Sequence, residues 1–279
     1  MMSEAQSTKE ELSFVDPQGV RIFYYRYLVA GAKAIVQLEH GLGEYATRYE
    51  KLIAALNADG YSVYADDHRG HGQTGMLQHG GDKKQMGKLG PGGLRATIAD
   101  IRQLTGIISA EHPELPLYLF GHSWGSLMAQ IIVNDHASDY AGVVLSGSAY
   151  RTPLDMYGGD LNHKHKHLGT TGFEWLSRDP EVAKAFAADP LCFPADVLKL
   201  FGVADGLRLY GKPKAGMAQL PILLQVGDDD PLGGGKSVSK LAESYRTRAA
   251  QEDVEVKIYP GARHEIFNET NADEVRQDL

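Results

Sequence analysis

Short apolar runs recur along the chain, each closed by a polar, glycine-bearing segment and then followed by apolar residues at helical spacing. Residues 20–28 (VRIFYYRYL) predict a strand, as do Ala34–Glu39, Tyr61–Ala65, Leu115–Phe120, Ala141–Leu145, Ile222–Val226 and Val254–Tyr259. Between them, Tyr49–Leu56 places Tyr49, Leu52, Ile53 and Leu56 at helical spacing. Leu94–Glu111 puts Ile98, Ile101, Leu104, Ile107 and Ile108 on one face and ends before Pro113. Leu127–Asn134 and Lys236–Ala250 predict two further helices. Fully apolar strands alternating with amphipathic helices predict an α/β fold: a mostly parallel central sheet with helices on both faces.

The alternation lapses between residues 151 and 215, so the expected organisation is a discontinuous core, 1–150 and 216–279, interrupted by an inserted lid at 151–215. In such sheets ligands bind beyond the carboxyl ends of the strands, which directs attention to the loops that follow them. After the strand ending at Phe120 comes Gly121-His122-Ser123-Trp124-Gly125, which opens a helix. That context is required of a nucleophile elbow, with Ser123 on a strained turn between two glycines. A serine hydroxyl is a weak nucleophile and needs a base oriented by an acid; on this elbow the chain order is Ser, then Asp or Glu, then His. Gly227-Asp228-Asp229-Asp230 follows one later strand, and Gly261-Ala262-Arg263-His264 the next. His264 is therefore the expected base and Asp230 the expected acid, with Asp228 and Asp229 as the alternatives. Oxyanion donors are expected from the backbone N–H groups of Trp124 and of Leu42, in the loop His40-Gly41-Leu42-Gly43.

These residues carry a resemblance. His40-Gly41-Leu42-Gly43-Glu44 with Arg48-Tyr49, Asp67-His68-Arg69-Gly70-His71-Gly72-Gln73-Thr74-Gly75, the elbow, Gly227–Asp230 and Tyr259–Glu265 resemble the monoacylglycerol lipase and lysophospholipase branch of the α/β-hydrolases. The resemblance runs over most of the chain. It implies a serine hydrolase of carboxylic esters with a lid over its site, acting through an acyl-enzyme. Two positions depart from it: Trp124 stands where that branch more often has methionine, and Ser126 where a second glycine is usual. Ser123-Trp124-Gly125-Ser126 resembles instead the elbow of proline iminopeptidases, which keeps an aminopeptidase as the alternative activity. Glu44 or Glu174 would then have to receive the substrate's ammonium group. A non-catalytic small-molecule-binding protein on the same fold is the third reading, disfavoured by the presence of serine, acid and histidine together.

Composition narrows the partners. Lys+Arg 28 against Asp+Glu 36 gives a net charge of -8, without the clustered basic face that nucleic acid requires. One cysteine, Cys192, excludes an internal disulfide and a cysteine-based metal site. The proposed chemistry requires neither cofactor nor metal. His163, His165 and His167 alternate with lysines, which predicts a solvated lid segment, and His68 and His71 are expected to satisfy loop hydrogen bonds. Residues 1–7 show no secretory leader, and Leu115–Val133 is too interrupted by polar residues to span a membrane, so the expected location is cytoplasmic. The aromatic residues of the insert, among them Phe173, Trp175, Phe186, Phe193 and Phe201, are expected to receive acyl chains, with transient contact to lipid surfaces. The chain is glycine-rich, with 32 glycines, and many of them fall in the loops that follow strands.

Overall fold

The computed structural model describes residues 8–279; the segment on which the leader expectation rests lies outside the described residues. Eight strands form one sheet: β1 (Thr8–Val15), β2 (Arg21–Leu28), β3 (Ala34–Glu39), β4 (Tyr61–Asp66), β5 (Leu117–His122), β6 (Gly142–Ser146), β7 (Ile222–Gly227) and β8 (Val254–Tyr259). Their spatial order is β1-β2-β4-β3-β5-β6-β7-β8. β1 and β2 run antiparallel at one edge, β2 meets β4 antiparallel, and every pairing from β4 to β8 is parallel. All the parallel strands thus present their carboxyl ends on one side.

Period-two alternation divides the core. Ile35 on β3, Leu117 and Leu119 on β5, Val143 and Leu145 on β6, and Ile222, Leu224 and Val226 on β7 pack toward α3 (Gly93–Glu111), α4 (Trp124–His136) and α7 (Gly234–Thr247). Val36 and Leu38, Tyr118 and Phe120, and Val144 face the other way, toward α1 (Glu50–Ala58) and the short α8 (Ala272–Gln277). Helices therefore cover both faces, which is why the central strands are apolar almost throughout. A short helix, α2 (Gly72–Gln78), follows β4.

Between β6 and β7 the chain makes a long excursion carrying α5 (Pro180–Ala188) and α6 (Val197–Arg208). α5 begins on Asp179, whose side chain accepts from the Glu181 amide, with Pro180 in the first turn; Asp196 caps α6 through the Lys199 amide. α6 breaks at Gly202, whose φ of 75° and ψ of 176° lie outside helical space. Among the described residues no helix is long and apolar enough to cross a membrane.

Candidate active site

The loops at the carboxyl ends of β3, β5 and β8 line one cavity, and the loop after β7 meets it from behind through Asp230 and His264. Ser123 caps α4 with φ 52° and ψ -123°; it and Ala250 are the two non-glycine residues with positive φ among the described residues. The Ser123 amide donates to Ser146 O of β6 at 2.9 Å, pinning the turn to the neighbouring strand. Gly125 permits the turn: a Cβ there would lie 2.3 Å from Glu39 O and 2.7 Å from His40 O. The helix therefore starts at Trp124, three residues earlier than apolar spacing predicts, because its first turn is fixed by contact with β3.

Leu42, Ser123 and His264 line this cavity together with Glu44, His122 and Glu265, and with Phe173, Trp175, Leu176, Phe186, Phe193 and Ala195 from the excursion between β6 and β7. Its open volume is about 10 Å³, so the walls close over Ser123 in this arrangement. Larger hollows lie beside α1 and α8 (about 240 Å³) and in the excursion around Asp160 and Asn162 (about 410 Å³), but neither is lined by a nucleophile and a base together.

His264 Nδ1 and Asp230 Oδ2 are 2.9 Å apart, both side chains essentially buried. Asp230 Oδ1 also accepts from the Leu232 amide at 2.9 Å, which fixes the carboxylate plane. Gly227 lets the loops after β7 and β8 meet, since a Cβ there would sit 2.1 Å from Ala262 O. The other two aspartates face elsewhere: Asp228 accepts from the Gly261 amide and Asp229 from His165 Nε2, at 2.6 and 2.8 Å. Burial on its own would lower the His264 pKa, but the charge and hydrogen bond of Asp230, aided by Glu265 and Glu44, raise it above the usual imidazole value. His264 Nε2 is buried and makes no hydrogen bond, so Ser123 and His264 share the cavity without a hydrogen bond between them. Trp124 opens α4, so its amide has no acceptor one turn earlier in the helix.

Several neighbours of the site were not legible as such. The His122 ring lies 4.8 Å from that of His264, and burial, then the charge of His264, keeps it neutral. Glu44 Oε1 accepts from the Gly41 amide (2.8 Å) and the Tyr49 hydroxyl (2.6 Å), while Arg48 bonds Glu44 and forks onto Glu265 at 2.9 and 3.2 Å. The solvated reading of the histidine–lysine segment needs one correction. His163 and His167 are exposed, but His165 is buried because its ring bonds Asp229. His68 Nδ1 bonds Asp66 and His71 Nδ1 meets Arg69 O, at 2.9 and 2.8 Å. Cys192 is held as a thiol by burial, which pushes its pKa up.

Glu39, Asp66 and His68 are the group of metal-ligand type among the described residues. They lie inside the core at the carboxyl ends of β3 and β4; burial, then the charge of Asp66, raises the Glu39 pKa.

The profile of the serine aminopeptidase S33 family matches residues 30–271. The chain belongs to that family. Within these hydrolases it sides with the monoacylglycerol lipase-like branch of the α/β-hydrolases. It is 32% identical to a monoacylglycerol lipase of Mycolicibacterium smegmatis over 98% of this chain and 96% of that protein. It is 28% identical to a monoglyceride lipase of Homo sapiens over 85% of this chain and 77% of that one. Among solved structures, a thermostable carboxyl esterase from Bacillus coagulans in complex with glycerol superposes with a TM-score of 0.81 at 27% identity, covering 97% of this chain and 96% of the esterase.

Proposed function

We propose that this S33-family hydrolase cleaves carboxylic esters of small alcohols, with glyceryl monoesters of fatty acids as the leading substrate, through an acyl-enzyme on Ser123. The observation that carries this reading is the shared cavity. A serine on a strained turn faces the same apolar space as a histidine whose far nitrogen is bonded to a buried aspartate. Ser123 Oγ attacks the ester carbonyl while His264 Nε2 takes its proton; Asp230 holds the tautomer and stabilises the imidazolium. The amides of Leu42 and Trp124 receive the oxyanion. Collapse expels the alcohol with the proton from His264, and a water activated by the same nitrogen releases the acid. Protein groups supply every proton transfer in this sequence.

The excursion at 151–215 acts in this reading as the lid expected from the chain. Its aromatic residues wall the cavity, and Leu198, Val203 and Leu207 on α6 leave apolar groups in solvent, suited to passing contact with a lipid surface. The relatives named as monoacylglycerol lipases support the choice of substrate. An aminopeptidase would need a free carboxylate for the substrate's ammonium, and both candidates are engaged. Glu44 is saturated by Gly41, Tyr49 and Arg48, and Glu174 by Thr171, Gly172 and Asn162. The test is a panel of glyceryl monoesters, p-nitrophenyl esters and aminoacyl amides on purified protein. Ester turnover at least about 10²-fold above amide turnover is expected; preference for aminoacyl amides would reject the reading.

A further inference from the structure

We propose that Arg48 is a positioning residue for this hydrolysis: its guanidinium fork holds the oxyanion loop and the base loop at a fixed spacing. The proposal rests on the ester-hydrolase reading above. Arg48 follows the loop after β3 and forms no hydrogen bond with Ser123 or His264. One nitrogen, Nη1, donates to the Glu44 carboxylate and also to Glu265 Oε1 at 2.9 Å; Nη2 donates to Glu265 Oε2 at 3.2 Å. Glu44 passes the constraint to the Gly41 amide, the residue before Leu42, through a 2.8 Å bond from its other oxygen. Glu265 is the next residue after His264. Two loops 217 residues apart in sequence are thus joined by one cation.

The same cation reaches the third wall of the cavity. Its guanidinium carbon lies 4.7 Å above the Phe186 ring on α5, and the Glu265 amide donates to Leu176 O at 2.7 Å. The cluster is built rather than incidental: the Glu44 and Glu265 side chains are 6% and 5% exposed and Arg48 13%. Two carboxylates this deep cannot both stay ionised beside each other without the cation between them. Burial raises the Glu44 pKa and Glu265 adds to it, whereas Arg48 overcomes burial to hold Glu265 below the usual carboxylate range. Planar, two-nitrogen recognition of this kind is available to arginine and not to lysine.

Positioning predicts effects that a merely structural ion pair does not. A misplacement of about 1 Å in an oxyanion donor or base costs roughly 10²-fold in rate. Arg48→Lys keeps the charge and loses the fork. It is expected to lower kcat about 10²-fold on a short p-nitrophenyl ester while KM, set by the apolar lining, stays within about threefold. Arg48→Met also removes the charge. His264 is faced by Asp230 from the loop after β7, by His122 from β5, by Glu44 from the segment after β3, and by Glu265 beside it. Without Arg48 one of the two carboxylates takes up a proton, so Arg48→Met is expected to lower kcat while the acid limb of kcat/KM stays close to wild type, whereas Glu265→Gln removes a charge that raises the His264 pKa and is expected to move the limb to lower pH. If Arg48→Met does not fold, Arg48→Lys and Glu265→Gln carry the test, with folding checked by near-UV circular dichroism. Wild-type kcat in folded Arg48→Lys, or an acid limb that does not move in folded Glu265→Gln, overturns the proposal. Failure of the underlying reading would look different: the wild-type protein itself would neither turn over esters nor be labelled at Ser123 by a fluorophosphonate.

Discussion

Replacing Ser123 by glycine is expected to make the protein more stable while abolishing ester turnover. The reason is local backbone strain. With φ 52° and ψ -123°, Ser123 sits where a residue bearing a Cβ is rarely found, and the hydrogen bond its N–H donates to Ser146 O and the contact of Gly125 with β3 prevent relaxation. Holding a non-glycine residue in such a region costs about 1–3 kcal/mol. Glycine relieves that cost but gives back roughly 0.4–1 kcal/mol through the larger freedom of the unfolded chain. The net expectation is a gain of about 0.5–2 kcal/mol, or roughly 1–6 °C in Tm for a chain of this size. Ser123→Ala is the control, because it removes the hydroxyl and keeps the Cβ. Its stability is expected to stay within about 0.5 kcal/mol of wild type. Urea unfolding and thermal melts of the three proteins, run beside a p-nitrophenyl ester assay, make the comparison. A Ser123→Gly protein no more stable than Ser123→Ala would refute the claim that the nucleophile position stores strain.

Three further outcomes follow from the same geometry. Gly125→Ala would drive a Cβ into the Glu39 and His40 carbonyls, so a loss of about 1–3 kcal/mol in urea unfolding is expected, with activity falling further than stability as Ser123 is displaced. Asp230→Asn should lower kcat by about 10⁴ and shift the acid limb of the rate profile downward, since Asp230 is what raises the His264 pKa and the base works only when neutral. The sign for stability is the reverse: the His264⁺–Asp230 pair stabilises the fold below pH about 6.5 and that share is lost as pH rises through the folded pKa, which a pH series of melts on wild type and Asp230→Asn would measure. Arg69 is fully buried between Asp16 and Asp100, with Nε 2.5 Å from Asp100, so Arg69→Ala is expected to cost about 3–5 kcal/mol in the same unfolding assay by leaving two buried carboxylates unpaired.

The central strands and the loops that carry the candidate residues could be read from the chain because each strand is an apolar run stopped by a loop whose residues are under geometric constraint. β5 stops at Ser123 and β7 at the aspartates, and the glycines there are needed where backbones nearly touch. β1 could not be read this way. Its sequence, TKEELSFV, is an exposed edge that pairs with β2 alone, so only alternate residues such as Leu12 and Phe14 meet the core and the polar ones dominate the pattern. α5 and α6 were hidden for a related reason: α5 meets the cavity through Phe186 and α6 packs on α3 and Trp124, neither lying against the sheet, so their apolar faces are incomplete, and α6 breaks at Gly202. Charge partners were the least legible feature. Arg48 and Glu265, like His165 and Asp229, are joined by the fold alone, and a histidine between two lysines reads as solvated until its aspartate is in view.

The most direct measurement of the central claim is intact-mass and peptide mapping of the protein after reaction with a fluorophosphonate ester. The account predicts one adduct per chain, on Ser123, with labelling abolished by Ser123→Ala and slowed by several orders of magnitude in His264→Ala. An adduct on any other residue, or undiminished labelling in either variant, would contradict it.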